Sequence, residues 1–303
     1  MKHIVLVNYG GPQHKGEVKD YLYRLFSDRN IIQLPAVMRK PLAVLISHLR
    51  AKRVEKNYES IGGSPLFSLT QSLVHTLNQN QHRRYYLAMA YTPPFIPQII
   101  DSIPDKEVYI FPLFPHYSLT TTGTCLSSAR KSSQRIFYLK EYWFEPSFNQ
   151  LITERIRQSV DYPEKTAVLF SAHSIPLKYA KKGDPYLKST WTHFNLLQKK
   201  LSDYNLFLGF QSGFGPLQWA GPKFMEVVAE IEKKGFKKVI VFPLSFTVDN
   251  YETEYEIDVV YRNNINYNNK LEFTRLSCLN NKDDFVSFIQ ETVMDDRKWL
   301  ELQ

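Results

Sequence analysis

Lys-Glu-Val-Tyr-Ile-Phe-Pro-Leu at residues 106–113 is echoed by Lys-Lys-Val-Ile-Val-Phe-Pro-Leu at 237–244. Each is a short apolar run that follows a stretch of helical periodicity. Runs this apolar read as strands covered on both faces, as in a parallel sheet. A weaker echo sets Val-Leu-Val-Asn (5–8) beside Val-Leu-Phe-Ser (168–171). The plain explanation is that any two parallel strands look alike. The alternative is two similar domains, 1–147 and 148–303, joined where Glu145-Pro146-Ser147 breaks the pattern.

Working outward, further apolar runs mark strands at Ile4–Asn8, Tyr85–Ala90, Val108–Phe114, Arg135–Leu139, Ala167–Ser171, Leu206–Phe210 and Val239–Leu244. Amphipathic stretches between them predict helices over Lys15–Phe26, Pro41–Arg53, Leu66–Gln79, Asn149–Val160 and Pro222–Lys234, with a closing helix over Asp283–Leu302. Strand and helix alternate, which is the pattern of a doubly wound α/β fold.

The 303 residues are 43% hydrophobic and 22% charged, a globular composition that excludes a disordered chain, a coiled coil and a collagen-like fibre. Two distant cysteines, Cys125 and Cys278, allow neither a disulfide framework nor a Cys-rich zinc module, and the natural compartment is the reducing cytoplasm. No stretch approaches the roughly 20 apolar residues of a membrane span, and the apolar N-terminal run is too short for a signal peptide. The net charge of +8 suits an acidic partner, yet no nucleic-acid-binding motif stands out, so no nucleic acid is expected.

In doubly wound sheets, ligands bind beyond the carboxyl ends of the strands. Polar groups gather there at Asn8-Tyr9-Gly10-Gly11-Pro12, at Pro115-His116-Tyr117-Ser118, at Ala172-His173-Ser174, at Gln211-Ser212-Gly213 and in the acidic run 249–258. As an α-helix, that run places Asp249, Glu252 and Glu256 on one face, with Glu254 and Asp258 on another. Taken alone, Asp249 with Glu252 reads as a capping box at a helix start. It gains meaning with His173, held on a tight turn directly after a strand. An imidazole and a carboxylate with open positions suit Fe²⁺, Co²⁺ or Zn²⁺, and the same pair accepts protons near neutral pH. His116 is a second strand-end imidazole whose neighbours Phe114 and Tyr117 also allow a packing role. Gly62-Gly63-Ser64-Pro65 and Gly10-Gly11-Pro12 lack the phosphate-loop and dinucleotide patterns, which disfavours nucleotides. The apolar segment 31–53, edged by Arg39, Lys40, Arg50, Lys52 and Arg53, reads either as a core helix with a solvated face or as a lip over a greasy ligand or anionic lipid.

Assembled in order, these residues resemble the ferrochelatase family. The likeness runs from Val7 to about residue 285. It is carried by Val-Asn-Tyr-Gly-Gly-Pro (7–12), Leu-Phe-Ser-Asp-Arg-Asn (25–30), Ile-Gly-Gly-Ser-Pro-Leu (61–66) and Pro-Leu-Phe-Pro-His-Tyr-Ser (112–118). Ser-Ala-His-Ser-Ile-Pro (171–176), Gln-Ser-Gly-Phe-Gly-Pro (211–216) and Asp-Asn-Tyr-Glu-Thr-Glu-Tyr-Glu (249–256) complete it. The resemblance implies two flavodoxin-like halves with a porphyrin cleft between them, and a lyase inserting Fe²⁺ into protoporphyrin IX to give haem. It implies His173 and Glu252 as the metal and catalytic pair. Tyr9, His116, Ser118 and Glu256 are expected on the porphyrin side. The segment 31–53 matches the family's active-site lip, with peripheral membrane contact as a further implication. Its apolar character points to protoporphyrin IX rather than coproporphyrin III. Iron is then a substrate and no cofactor is bound permanently; without a Cys-rich C-terminal tail, no iron–sulfur cluster of the kind some family members carry is expected.

Three positions depart from the family's pattern: Asn250 where histidine is common, Ala90 where an arginine is often found, and Gly213 where a basic residue is common. Alternatives are a coproporphyrin III ferrochelatase, a cobalt or sirohydrochlorin chelatase, and a porphyrin or haem carrier without turnover.

Overall fold

In the computed structural model, residues 2–79, 83–213, 217–267 and 271–303 are described. They form two units, one of residues 1–141 with 281–303, the other of residues 142–280.

The first unit runs β1 (His3–Asn8), α1 (Val18–Ser27), α2 (Ala36–Ser60), α3 (Leu66–Asn78), β2 (Arg84–Met89), α4 (Ile96–Ser102), β3 (Glu107–Pro112), α5 (Thr122–Ala129) and β4 (Arg135–Leu139). All six residues of β1 are buried, as a central parallel strand requires. Val5, Val7, Val108 and Ile110 pack with Ile96, Ile100 and Leu126 from α4 and α5. Each such aliphatic side chain contributes about 1.5–3 kcal/mol on burial. The second unit runs α6 (Pro146–Ser159), β5 (Thr166–His173), α7 (Leu177–Lys181), α8 (Tyr186–Lys200), β6 (Asn205–Gln211), α9 (Phe224–Lys233), β7 (Lys238–Pro243), a π-helix (Glu252–Tyr261), α10 (Arg262–Tyr267) and β8 (Glu272–Arg275). Leu169, Val239 and Val241 pack on Phe224, Val227 and Ile231 of α9 and on Ile257 of the π-helix.

Glu145-Pro146-Ser147, expected at a domain joint, instead starts α6, with Pro146 in the first helical turn where its missing N–H is harmless. The chain then returns to the first unit through α11 (Asp283–Thr292), a 3₁₀ turn and β9 (Trp299–Glu301), which pairs antiparallel with β4. Residues 281–303 therefore belong with the first unit, not with the second as the sequence pattern suggests. Their helix stops at Thr292 rather than running to Leu302.

Strand order among the described residues is β2-β1-β3-β4-β9 in one sheet and β6-β5-β7-β8 in the other. With the first strand of each unit numbered 1, both begin 2-1-3-4, the flavodoxin-like order, and all pairings except β4–β9 are parallel. The echoed segments are the topologically equivalent strands β3 and β7. Their prolines set the equivalence: Val7 pairs with Pro112, and Ser171 with Pro243. Val7 thus corresponds to Ser171, one residue from the alignment that the sequence echo suggested, and Tyr9 corresponds to His173.

The helix expected over Pro41–Arg53 is longer, Ala36–Ser60, with Pro41 inside it. One face buries Ala43, Ser47, Val54 and Tyr58. The other exposes Val37, Met38, Val44, Leu45 and Leu49, with Leu49 at 75%. No described helix is long and apolar enough to cross a membrane.

Candidate active site

His173 is the last residue of β5, paired with Gln211, rather than a loop residue. Its backbone N–H donates to Ser245 Oγ (3.0 Å), and its carbonyl accepts the Tyr186 hydroxyl (2.8 Å). The ring is fixed by Nδ1, 2.6 Å from the Ser174 carbonyl. A carbonyl only accepts, so Nδ1 carries the proton and Nε2 keeps its lone pair. Burial holds the imidazole below its ordinary pKa, offset in part by the charge of Glu256. Near neutral pH it is therefore an uncharged base and ligand.

The acidic run forms a π-helix rather than an α-helix, a geometry concentrated at functional sites. Residues four apart stack along it: Tyr251 lies over Tyr255 at 5.0 Å, and Asp258 pairs with Arg262 at 2.7 Å. Glu252 and Glu256 have the same spacing. Burial, and then the neighbouring Glu256 charge, push the Glu252 carboxyl up to about 7. Glu256 is the better solvated by hydrogen bonds. Its Oε2 accepts from Ser212 Oγ and from Gln211 Nε2 (3.4 Å). Fully buried Gln211 also donates to the Glu252 carbonyl (3.1 Å) and accepts from Ser171 Oγ (2.6 Å). Its amide thus ties β5 and β6 to the first turn of the π-helix. Glu256 is the group whose charge reaches both His173 and Glu252.

Asp249 does not join this set. It is buried against Arg275 (2.6 Å) and accepts from Asn280 Nδ2 (2.8 Å) and the Cys278 N–H (3.2 Å). Burial alone would raise its pKa, but the Arg275 charge and these donors hold it below the ordinary value. Arg275 also binds Asp258 (2.6 Å). The expected capping box of Asp249 with Glu252 is made instead by Asn250 and Thr253. The Thr253 N–H donates to Asn250 Oδ1 (3.1 Å), and the Asn250 N–H donates to Thr253 Oγ1 (2.9 Å). Asn250 is therefore occupied in starting the helix, and Glu252 makes no cap. Among the described residues, no group of three or more His, Cys, Asp or Glu is placed to hold a metal ion.

In the first unit, Tyr9 donates its hydroxyl to the Thr120 carbonyl and packs its ring on Tyr91 (5.4 Å) and Phe114 (5.2 Å). Gly10 follows because a Cβ there would stand 2.1 Å from Thr92 Oγ1. A Cβ on Gly11 would strike Ser64, so the two glycine motifs, 10–11 and 62–63, are packing partners. Ser118 is fully buried, its hydroxyl 3.0 Å from Thr120 Oγ1, and its carbonyl accepts from the Thr121 and Gly123 N–H groups. It shapes the loop on which Tyr9 rests. His116 is 1% exposed, and burial lowers its pKa to about 3. Expected on the porphyrin side, it has the surroundings of a neutral core imidazole.

Gln211 and Ser212 stand at a strand end in the sequence, where nothing local assigns them a role. The sequence pattern also misses Tyr261, whose hydroxyl accepts from the Ser212 N–H (3.1 Å) while its ring stacks on Phe224 at 4.5 Å. Gln211 was findable from its strand-end place; Tyr261 was not, because only the π-helical winding turns it toward Ser212. Phe214, Gly215 and Pro216 of the same motif lie outside the described residues.

The Ferrochelatase family model matches residues 2–297. The ferrochelatase of a Nitratiruptor species is 36% identical over 304 residues, covering 94% of this chain and 97% of the relative. That of Aquifex aeolicus is 33% identical over 308 residues, covering 97% and 99%. Among solved structures, SirB from Bacillus subtilis with Fe³⁺ superimposes over the whole of both chains with a TM-score of 0.56 at 13% identity. CbiX, described as the terminal enzyme for biosynthesis of siroheme in denitrifying bacteria, covers 97% of this chain and 98% of its own, with a TM-score of 0.54 at 14% identity. At such identities these two show a shared fold. The family match over nearly the full length, together with a third or more identity to curated relatives, leads to one conclusion: the chain belongs to the ferrochelatase family, enzymes that insert a metal ion into a tetrapyrrole.

Proposed function

We propose that this enzyme inserts Fe²⁺ into protoporphyrin IX, releasing two protons, with His173 and Glu252 as the residues that handle metal and protons. The observation that carries the reading is the pairing of electronic states at one sheet edge. His173 is neutral with Nε2 keeping its lone pair, and the Glu252 carboxyl is pushed up to about 7 by burial and then by the Glu256 charge. Metalation needs this combination, since each pyrrole N–H must lose a proton to a base as the ion arrives. A neutral imidazole takes a proton or lends its lone pair to iron, and a carboxylate near its midpoint does either at neutral pH. Glu256, with Ser212 and Gln211 donating to it, then offers a way out for the proton.

Tyr9 is the aromatic residue proposed to face the macrocycle. The exposed apolar stripe of α2 favours a greasy tetrapyrrole with few carboxylates and peripheral contact with a membrane surface. Two buried free thiols, Cys125 and Cys278, fit a cytoplasmic enzyme.

The test is anaerobic incubation of the purified protein with Fe²⁺ and protoporphyrin IX, with coproporphyrin III and sirohydrochlorin in parallel. Haem absorbance should rise as porphyrin fluorescence falls, fastest with protoporphyrin IX, and His173→Ala should abolish it. Faster turnover of another tetrapyrrole would reassign the substrate. Tight binding without insertion of any metal would leave a carrier.

A further inference from the structure

Ser174 follows His173 directly, is 1% exposed, and supplies the carbonyl that holds the His173 ring at 2.6 Å. A carbonyl aims only as well as its own peptide is fixed. The Ser174 N–H donates to the Gln211 carbonyl (2.8 Å), and the Ser174 hydroxyl donates to the Ala220 carbonyl (2.9 Å). The Ala220 N–H in turn donates to the Ile175 carbonyl (2.9 Å). Both backbone groups of Ala220 therefore bracket the peptide between Ser174 and Ile175. The bracket is itself secured. Pro176 bridges antiparallel to Trp219, the Leu177 N–H donates to the Gln218 carbonyl (2.9 Å), and the Pro222 carbonyl accepts from the Phe210 N–H (2.8 Å).

The tautomer of a neutral imidazole follows from the hydrogen bond that one of its nitrogens makes. Two acceptors compete for the ring proton of His173: the Ser174 carbonyl, and the Glu256 carboxylate, whose charge reaches the ring. Hydrogen bonds to an ionised group are roughly twice as strong as neutral ones, so a loosely held carbonyl would lose. Nδ1 is occupied by Ser174, and the nitrogen left to serve Glu256 is Nε2. A proton drawn there would remove the lone pair that the ring offers to metal or proton.

Resting on the role of His173 proposed above, we propose that Ser174 is a positioning residue: its hydroxyl, anchored on Ala220, aims the Ser174 carbonyl and so keeps His173 in the Nδ1–H tautomer. Partners that orient a metal-handling imidazole in this way change activity by about 10–100-fold.

The experiment compares the wild type with Ser174→Ala and with the gentler Ser174→Cys, whose thiol is a weak donor. Thr153→Val is the control, because Thr153 is likewise a buried hydroxyl that donates to a backbone carbonyl in the same unit (3.0 Å). Nitrogen NMR on isotopically labelled histidines, with His173 assigned from His173→Ala, reads which ring nitrogen is protonated at neutral pH. Steady-state insertion of Fe²⁺ into protoporphyrin IX gives kcat and KM. The wild type should show a protonated Nδ1 and an unprotonated Nε2. Ser174→Ala should shift population to Nε2–H and lower kcat by about 10–100-fold, with KM for the porphyrin unchanged. Ser174→Cys should fall between, and Thr153→Val should match the wild type in both readouts. If Ser174→Ala does not fold, Ser174→Cys decides alone. A wild-type Nε2–H tautomer overturns the proposal, as does a tautomer that ignores residue 174. A tautomer shift that leaves kcat unchanged overturns it too. If the wild type inserts no metal but the tautomer follows residue 174, the positioning stands and the reading of the activity falls. If it inserts metal and the tautomer ignores residue 174, the reverse holds.

Discussion

Replacing Glu256 with Gln isolates the electrostatic relation on which the proposed chemistry depends. The substitution keeps the side chain's size and an oxygen for the Ser212 and Gln211 donors, but removes its charge. Glu252 sits at about 7 rather than its ordinary 4.5, burial being the larger cause and the Glu256 charge the second. Removing the second cause lowers the Glu252 midpoint, because a neighbouring negative charge disfavours ionisation. At pH 7 the ionised fraction of Glu252 then rises above its wild-type value of about half. His173 does not mask the effect, because loss of the same charge moves its pKa further down and leaves it neutral. The assay is kcat/KM for Fe²⁺ insertion between pH 5.5 and 8.5, which reports groups of the free enzyme. The acid limb should have its midpoint near 7 in the wild type and at a lower pH in Glu256→Gln. An acid limb that stays in place, or moves upward, would refute the argument that Glu256 sets the Glu252 charge.

His173→Ala should abolish insertion and lower stability by only about 1 kcal/mol, since the backbone bonds to Ser245 and Tyr186 do not involve the ring; thermal melting beside the activity assay separates the two. Glu252→Gln should remove most turnover yet raise the melting temperature at pH 8. A carboxyl whose folded pKa is raised favours the native state below its unfolded value and opposes it above the folded one. The charge therefore destabilises by about 2 kcal/mol above pH 7, after allowance for partial solvent access, and by nothing below pH 4. Asn250→Ala should act the other way, losing about 1 kcal/mol of helix capping in chemical denaturation. Asp249→Ala should cost about 1–3 kcal/mol, because Arg275 keeps Asp258 but the buried Cys278 N–H and Asn280 amide lose their acceptor. Because Asp249 has a lowered pKa, the wild-type advantage should hold at neutral pH and fade as the pH falls below about 4.

The parallel strands were legible because burial on both faces writes a continuous apolar run, and β1 to β7 fall within two residues of the stretches expected. β8 was not: Glu-Phe-Thr-Arg is four residues at a sheet edge, alternating and half polar. β9 was hidden behind the helical pattern of 283–292, and nothing local in Trp-Leu-Glu announces that it returns to β4. His173 was visible as a polar residue ending an apolar strand. The acidic run was legible as a helix but not in its winding. A 3.6-residue period put Asp249 with Glu252 and Glu256, whereas the π-helix begins only after Asp249 has turned to Arg275. That ion pair joins residues distant in sequence, and so does the Gln211–Glu256 contact. Spacing rules, which see only neighbours, miss both.

The antiparallel strand β9 also sets an order of events during synthesis. Residues 142–280 leave the ribosome as one uninterrupted unit, able to complete its own sheet before Trp299–Glu301 is made. The earlier-made sheet waits. Until Trp299–Glu301 arrives, β4 presents Ile136, Tyr138 and their free backbone groups as an open edge, a template for another chain. Residues 299–302 therefore act as a built-in guard against edge-to-edge aggregation, sealed by the Arg135–Glu301 pair and by the Leu302 N–H on the Ile136 carbonyl. Of the two units, the one translated earlier closes later.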